Sequence, residues 1–300
     1  MRVDPSYISN LVGALNETQA NAQELTAELS SGVRVTSLGQ DPLAAGQNVL
    51  LLNQMQQDDS FTQSSSLLTG QLQVADSALG QVVAQLTQAI SLASAANNGT
   101  MNASNRASIA SQIAGIRAEV LSLANSSYQG QYIFAGGQTT NAPFSLSTGT
   151  SPATVTYGGD NGVNYLQSPN GQQIQMNVPG HQIFAAGASN DVFGALNKLV
   201  ADYSAGAFNT AKAIADTTEL SDSLNWVSQQ RVSIDNSITQ LSSAAAAVSS
   251  QLTQLTTAQT DLMQADVAHV STQLAMAETQ QTALESVIAR LGAGSLFDKL

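Results

Sequence analysis

Three hundred residues with 43% hydrophobic content can bury a core without staples, and the complete lack of cysteine excludes disulfides, thiolate chemistry and cysteine-based metal sites. Nine Lys and Arg against 21 Asp and Glu give a formal charge of -12 with no basic stripe, which argues against nucleic acid as a partner, since neutralised phosphates supply most non-specific affinity. Charged residues make up only 10%, against roughly a quarter in average globular chains, and Ser, Thr, Gln, Asn and Ala take their place.

The first helix is predicted from about Ser6 to Leu29, because Ile8, Leu11, Leu15, Thr18, Ala22, Leu25 and Leu29 follow in alternating steps of three and four along one face. Ser30-Ser31-Gly32 ends it by offering glycine to a left-handed cap. Val33 to Leu38 reads as extended or irregular. In Gln40-Asp41-Pro42 the carboxylate can accept from the free N–H groups of a new helix while proline takes its first position. Arg34, between the two helices, is either a solvated loop charge or a guanidinium clamping carbonyls or a carboxylate at the bend.

The second helix is predicted to reach about Ala96, with Leu68, Leu72, Ala75, Leu79, Val82, Leu86, Ala89 and Ala93 in heptad register. Roughly 55 helical residues would span about 80 Å, so an elongated molecule is expected. Asn97-Asn98-Gly99-Thr100 reads as a reversal, and Ile109, Ile113, Ile116 and Val120 mark a third helix ending near Asn125.

From Gln131 the pattern changes to period two. Tyr132-Ile133-Phe134 is bounded by Ala135-Gly136-Gly137, and Val155 with Tyr157, Val163 with Tyr165, and Ile174, Met176 and Val178 alternate as strands. Gly158 to Gly162 and Ser168-Pro169-Asn170-Gly171 read as hairpin turns, and Val192 to Ala205 as a short closing helix. A compact β-rich insert is expected, not a barrel.

The last arm is predicted helical from about Lys212 to Arg290. Ile234, Ile238, Leu241, Ala245, Val248, Leu252, Leu255, Gln259 and Leu262 share one seam, which then hops by a residue to Val270, Leu274, Ala277, Gln281, Leu284, Ile288 and Leu291. Such a phase hop changes helix winding locally, so Leu262 to Val270 is expected to lead from an inner bundle to a terminal pair. Gly292 to Ser295 is expected to break the helix, leaving Leu296 and Phe297 exposed unless something packs on them. Trp226 reads as core between helices.

An apolar stripe of this length needs a partner, and the nearest candidate for either end is the other. The fold class is therefore mainly α with a small β-rich insert, an elongated helical bundle with paired N- and C-terminal coiled-coil arms. The expected domains are 1–40 with 263–300, 41–130 with 206–262, and the insert 131–205. The expected assembly interface comprises Ile8, Leu11, Leu15, Ala22, Leu25, Leu29, Val270, Leu274, Ala277, Leu284, Ile288, Leu291, Leu296 and Phe297, with Arg34, Asp41 and Pro42 at the inter-domain bend. Helix faces of Gln, Ser and Ala suggest contact with neighbouring subunits; a merely neutral surface is the alternative.

No reaction centre is expected. His181 and His269 lack companions at metal-ligand spacing, and Asp261 and Asp266 lie five apart, so they read as polar positions at a buried or shared interface. There is no Gly-x-Ser-x-Gly elbow and no phosphate-cradling loop. No enzyme activity, metal or cofactor is expected. Residues 1–30 lack the charged start and apolar run of a secretory signal, and no later run is long enough to span a membrane.

Leu29-Ser30-Ser31-Gly32-Val33-Arg34-Val35, followed by Asp41-Pro42 and Ala44-Ala45, resembles the signature of the bacterial flagellins and their hook-associated relatives. Gly130 to Gly136, Pro143-Phe144, Tyr157-Gly158-Gly159-Asp160, Gly180-His181-Gln182-Ile183-Phe184 and Ser295-Leu296-Phe297 resemble the branch found at the junction of hook and filament. Gln40 stands before Asp41 where the family commonly has a pair of acidic or amide residues; the cap is kept, but an acid-specific contact at position 40 is not implied. The resemblance implies a flagellin-like rod exported unfolded through the flagellar type III channel without a cleaved signal. It further implies assembly outside the cell as a thin ring, with a neighbouring hook-associated protein, filament flagellin and further copies of itself as partners. An export chaperone near the C-terminal end is implied as well. The alternatives are a short flagellin forming the filament itself and an intracellular coiled-coil scaffold.

Overall fold

The structure, a computed structural model, describes residues 5–98, 101–147, 149, 153–184 and 190–297. Its elements are α1 (Pro5–Ser31), α2 (Pro42–Ala96), α3 (Ala103–Ala124), β1 (Ser127–Tyr128), β2 (Gln131–Tyr132), β3 (Phe144–Ser147), β4 (Thr154–Tyr157), β5 (Tyr165–Gln167), β6 (Gln173–Gln175), α4 (Gly180–Phe184), α5 (Val192–Ser204), α6 (Thr210–Met263) and α7 (Val267–Phe297). The chain packs as two compact units. The terminal unit takes the residues up to Gln57 and from Gln251 on, and the central unit is Asp58–Ser250.

The core of the central unit is built on heptads. Leu68, Leu72, Ala75, Leu79, Val82, Leu86, Ala89 and Ala93 of α2 are all buried, as the spacing predicts. On α6, Ala213, Leu220, Val227, Ile234, Leu241 and Val248 recur every seven residues and are buried with them. Ile109, Ile113, Ile116 and Val120 supply the face of α3, which packs on α5. Two polar ties sit on this core. Arg231 of α6 grips Asp76 of α2 with both ends of its fork, at 2.8 and 3.1 Å. The buried Tyr203 hydroxyl donates toward Ala93 O at 3.1 Å and Asn97 Oδ1 at 3.0 Å, closing α5 onto the end of α2. Trp226 is half-buried and donates its indole N–H to Gln182 O at 2.7 Å.

Among the described residues the β-rich insert has no continuous sheet: β1–β2, β3–β4 and β5–β6 are three separate antiparallel pairs. Its element bounds depart from the sequence expectation. Strand structure begins at Ser127, before Gln131, because Gln129 and Gly130 both adopt positive φ, 51° and 79°, and form a tight hairpin. Ile133 and Phe134 lie beyond β2, in a buried turn. The Val163–Tyr165 and Ile174–Val178 alternations shorten to Tyr165–Gln167 and Gln173–Gln175. Ser168 to Gly171 does close a hairpin, β5–β6, whereas Gly158 to Gly162 does not, since β4 pairs back onto β3.

Aromatic packing replaces the missing sheet. Phe184 lies against Phe134, Phe144 and Phe193, with ring centroids 5.6, 5.3 and 5.8 Å away, and Tyr157 lies 5.0 Å from Phe144. Asn125 brackets Phe144 by accepting from its N–H at 2.9 Å and donating to its carbonyl at 2.8 Å. Gly180 N donates to Phe134 O at 2.7 Å, and the Tyr157 hydroxyl donates to Asp160 O at 2.6 Å. The dispersed motif segments 130–136, 143–144, 157–160 and 180–184 thus meet in one knot.

Asp160 ties that knot electrostatically. Its carboxylate accepts from the Gly137 N–H at 2.6 Å and the Gly162 N–H at 2.9 Å, and these two donors, Gly137 first, hold its pKa below the ordinary 3.8. A depressed folded-state pKa gives stability that is complete above the unfolded value and lost as pH falls through the folded one. The Gly137 amide resonance should therefore titrate with a midpoint below the ordinary carboxylate value, and Asp160→Asn should remove that step. Titration of the Asp160 carboxyl at or above the ordinary value would contradict this assignment.

Candidate assembly interface

In the terminal unit α1 and α7 pair antiparallel. Leu25, Val270 and Ala277 are 6%, 3% and 5% exposed, and Ala22, Leu29 and Leu274 pack against them with Ala265. The seam continues with Leu11, Leu15, Leu284, Ile288 and Leu291, all half-buried. Ile8, at the start of α1, is exposed. Burying one such leucine contributes about 2 kcal/mol, so the pair is held by a few dry central contacts and a looser periphery. The tail does not break where expected. Gly292 to Ser295 remain helical and α7 runs to Phe297, because isolated helical glycines cost only about 1 kcal/mol each. The side chains of Leu296 and Phe297 lie outside the described residues.

Both helical strands of the terminal unit are interrupted at one level. On one side α1 ends at Ser31, and Gly32 turns the chain with φ +69°. On the other, the predicted change of winding is a full break at Gln264–Asp266. Val33 bridges Gln264, Arg34 N donates to Met263 O at 2.7 Å, and Ala265 N donates to Gly32 O at 3.0 Å. Asp266, expected at a buried or shared interface, instead caps α7 by accepting from Ala268 N at 3.0 Å and His269 N at 3.1 Å.

Arg34 spans the bend. Its guanidinium donates to Asp41 Oδ2 at 3.1 Å and to Leu262 O at 3.2 Å. Asp41 accepts from Ala44 N at 2.9 Å with its other oxygen, capping α2, and Pro42 takes the first helical position. The Ala44 N–H and then Arg34 lower the Asp41 pKa. Both side chains of the ion pair are well exposed, so it fixes geometry more than it stabilises. Gln40 organises the loop: its carbonyl oxygen accepts from Thr36 N at 2.7 Å and Ser37 N at 3.0 Å, while its amide donates to Glu24. A carboxylate could do the first and not the second. Gln40→Glu should therefore destabilise the terminal unit by about 0.5 kcal/mol at neutral pH, a difference that shrinks with added salt. Equal urea midpoints at low and high salt would refute it.

One feature escaped the sequence reading. Leu43, Gln47, Leu50 and Gln54 form a second three-four seam on α2, outside the buried one, and Leu43 and Leu50 are 73% and 70% exposed. The spacing could have revealed it, but leucines on a helix are normally assigned to the core. Among the described residues no three acidic or histidine side chains gather as a metal site, and no helix is long and apolar enough to cross a membrane.

Comparison with known proteins agrees with this architecture. Residues 7–139 match the bacterial flagellin N-terminal helical region. The chain is 34% identical to flagellar hook-associated protein 3 of Salmonella typhimurium over 62% of its own length and 57% of that protein's. It is 30% identical to the Escherichia coli protein of the same name over 93% of its own length and 92% of that protein's. A putative flagellar hook-associated protein from Vibrio parahaemolyticus shares the fold, with a TM-score of 0.67 at 19% identity over 75% of this chain and all of that one. A match spanning nearly the whole of both partners, over a fold of heptad helices with an aromatic insert, means that the chain belongs to the hook-associated protein 3 family, structural flagellar proteins and not enzymes.

Proposed function

We propose that this chain is a junction adaptor of the bacterial flagellum, joining hook to filament as a ring of copies. The observation that carries the reading is the α1–α7 pair, whose inner seam is satisfied while Tyr7, Val12, Met276 and Val287 stay exposed on sparsely charged helices. Such faces suit close packing against other helices. In this reading residues 1–40 and 263–300 form the tube-wall domain, with Ile8, Leu11, Leu15, Leu284, Ile288, Leu291, Leu296 and Phe297 ordered by assembly. Residues 41–130 and 206–262 form the supporting bundle, and 131–205 the outer insert. The chain leaves the cell through the flagellar type III pathway, escorted by a chaperone on its C-terminal region, and meets a neighbouring hook-associated protein and filament flagellin outside. The shared flagellin N-terminal region favours a second reading, a short flagellin that forms the filament itself. Electron microscopy of a deletion strain separates the two. The adaptor predicts hooks without filaments and filament monomer lost to the medium; the flagellin predicts no monomer in either place. Filaments of normal length would overturn both.

A further inference from the structure

Among the described residues, five of the fifteen exposed large apolar side chains fall between Leu38 and Leu52: Leu38, Leu43, Val49, Leu50 and Leu52. Beside them α2 and α6 leave an open groove of about 380 Å³, walled by Leu50, Leu51, Ala258 and Leu262 and rimmed by Gln47 and Gln54. All of these residues belong to the terminal unit. The alternation Leu43, Gln47, Leu50, Gln54 has coiled-coil spacing, and Leu43, Gln47 and Leu50 are exposed, with no helix of the described residues covering them. Neither Pro42–Gln57 nor the facing Gln251–Thr260 contains a single Lys, Arg, Asp or Glu.

We infer that this groove is the seat for a helix of a second copy of the same chain. The inference rests on the junction reading above and deepens it by naming the surface through which copies meet. Charge selects the occupant. Each copy carries -12, so approach through most faces brings like charges together, whereas this face brings none. A basic partner, which the net charge would otherwise favour, gains nothing from an uncharged seat. Dry contact also obliges an exposed seam glutamine such as Gln47 to find an amide or hydroxyl partner, and the chain's own helices display Gln, Ser and Thr in abundance. Within the unit Gln259 donates to Asn48 Oδ1 at 3.0 Å, and Gln47 lies exposed at the rim of the groove.

The test is photocrosslinking from benzoylphenylalanine placed at Leu50 of the full-length chain bound to hooks on cells, with adducts identified by mass. Chain-to-chain dimers are expected. Adducts to a different axial protein, or none from hook-bound chain, would overturn the inference while leaving the junction reading intact. If the chain never reaches hooks, the junction reading falls and the purified protein decides: concentration-dependent dimers through position 50 support the seat, and their absence overturns it. With the probe at Ala258, Leu43→Gln/Leu50→Gln should cut dimer yield about tenfold, equivalent to ~1.4 kcal/mol. Circular dichroism should show the double variant folded, since both leucines lie on the surface; unchanged yield from it also counts against the seat.

Discussion

Leu15→Asp and Leu284→Asp are each expected to abolish incorporation into the flagellum while leaving the central unit folded. In the dry middle of the terminal pair Leu29, Leu25 and Ala22 pack with Val270, Leu274 and Ala277, and extending that antiparallel register brings Leu15 level with Leu284. A carboxylate there is partly desolvated in a half-buried apolar seam, a penalty of roughly 1–3 kcal/mol on a pair held by few buried contacts. Hydrogen exchange should show α1 and α7 opening together in either variant while α2 amides between Leu68 and Ala93 keep their protection. Leu15→Lys combined with Leu284→Asp should recover part of the protection, because opposite charges at one level attract. Normal incorporation of both single variants would refute the paired arms, and so would loss of protection throughout the central unit.

The second large effect falls on the aromatic knot. Phe184→Ala should cost the central unit about 3–5 kcal/mol, since the fully buried ring touches three others and little can collapse into its place. Gly180→Ala should act on the same structure by another route. A methyl group there would lie 2.7 Å from the Phe144 ring and 2.8 Å from Phe134 O, and a backbone carbonyl already holding the Gly180 N–H cannot retreat. Thermal melts and exchange of the 130–184 amides check both. A loss below about 1.5 kcal/mol for Phe184→Ala would mean that the insert is held by its hairpins after all.

The helical part of this architecture was legible because its signals are long and repeated. Eight seam residues from Leu68 to Ala93 predict one buried face, and Asp41-Pro42 marks a helix start through a side-chain acceptor followed by a residue needing no donor. The strands were not legible to the same degree. At two to four residues they are too short for alternation to declare itself, and Gln129 is not a residue whose presence announces positive φ. Gly158-Gly159 resembles hairpin chemistry, but glycine serves close approach there: a Cβ on Gly159 would stand 2.5 Å from the Tyr157 hydroxyl. At the assembly interface the inner seam could be read directly, since each leucine finds its partner within the chain. The outer seam of Leu43 and Leu50 has the same legible spacing, but its meaning depends on what lies across it.

The paired interruptions at Gly32 and Gln264–Asp266 uncouple rotational phase across the bend. A residue added to a continuous helix turns everything beyond it by about 100°, enough to rotate a seam out of its contact. Here neither α1 inherits its azimuth from α2 nor α7 from α6, because the two backbone hydrogen bonds of the Val33–Gln264 bridge set both afresh at the joint. Insertions and deletions in the helices below the joint are therefore absorbed before they reach the termini, and the two segments are free to diverge in length independently.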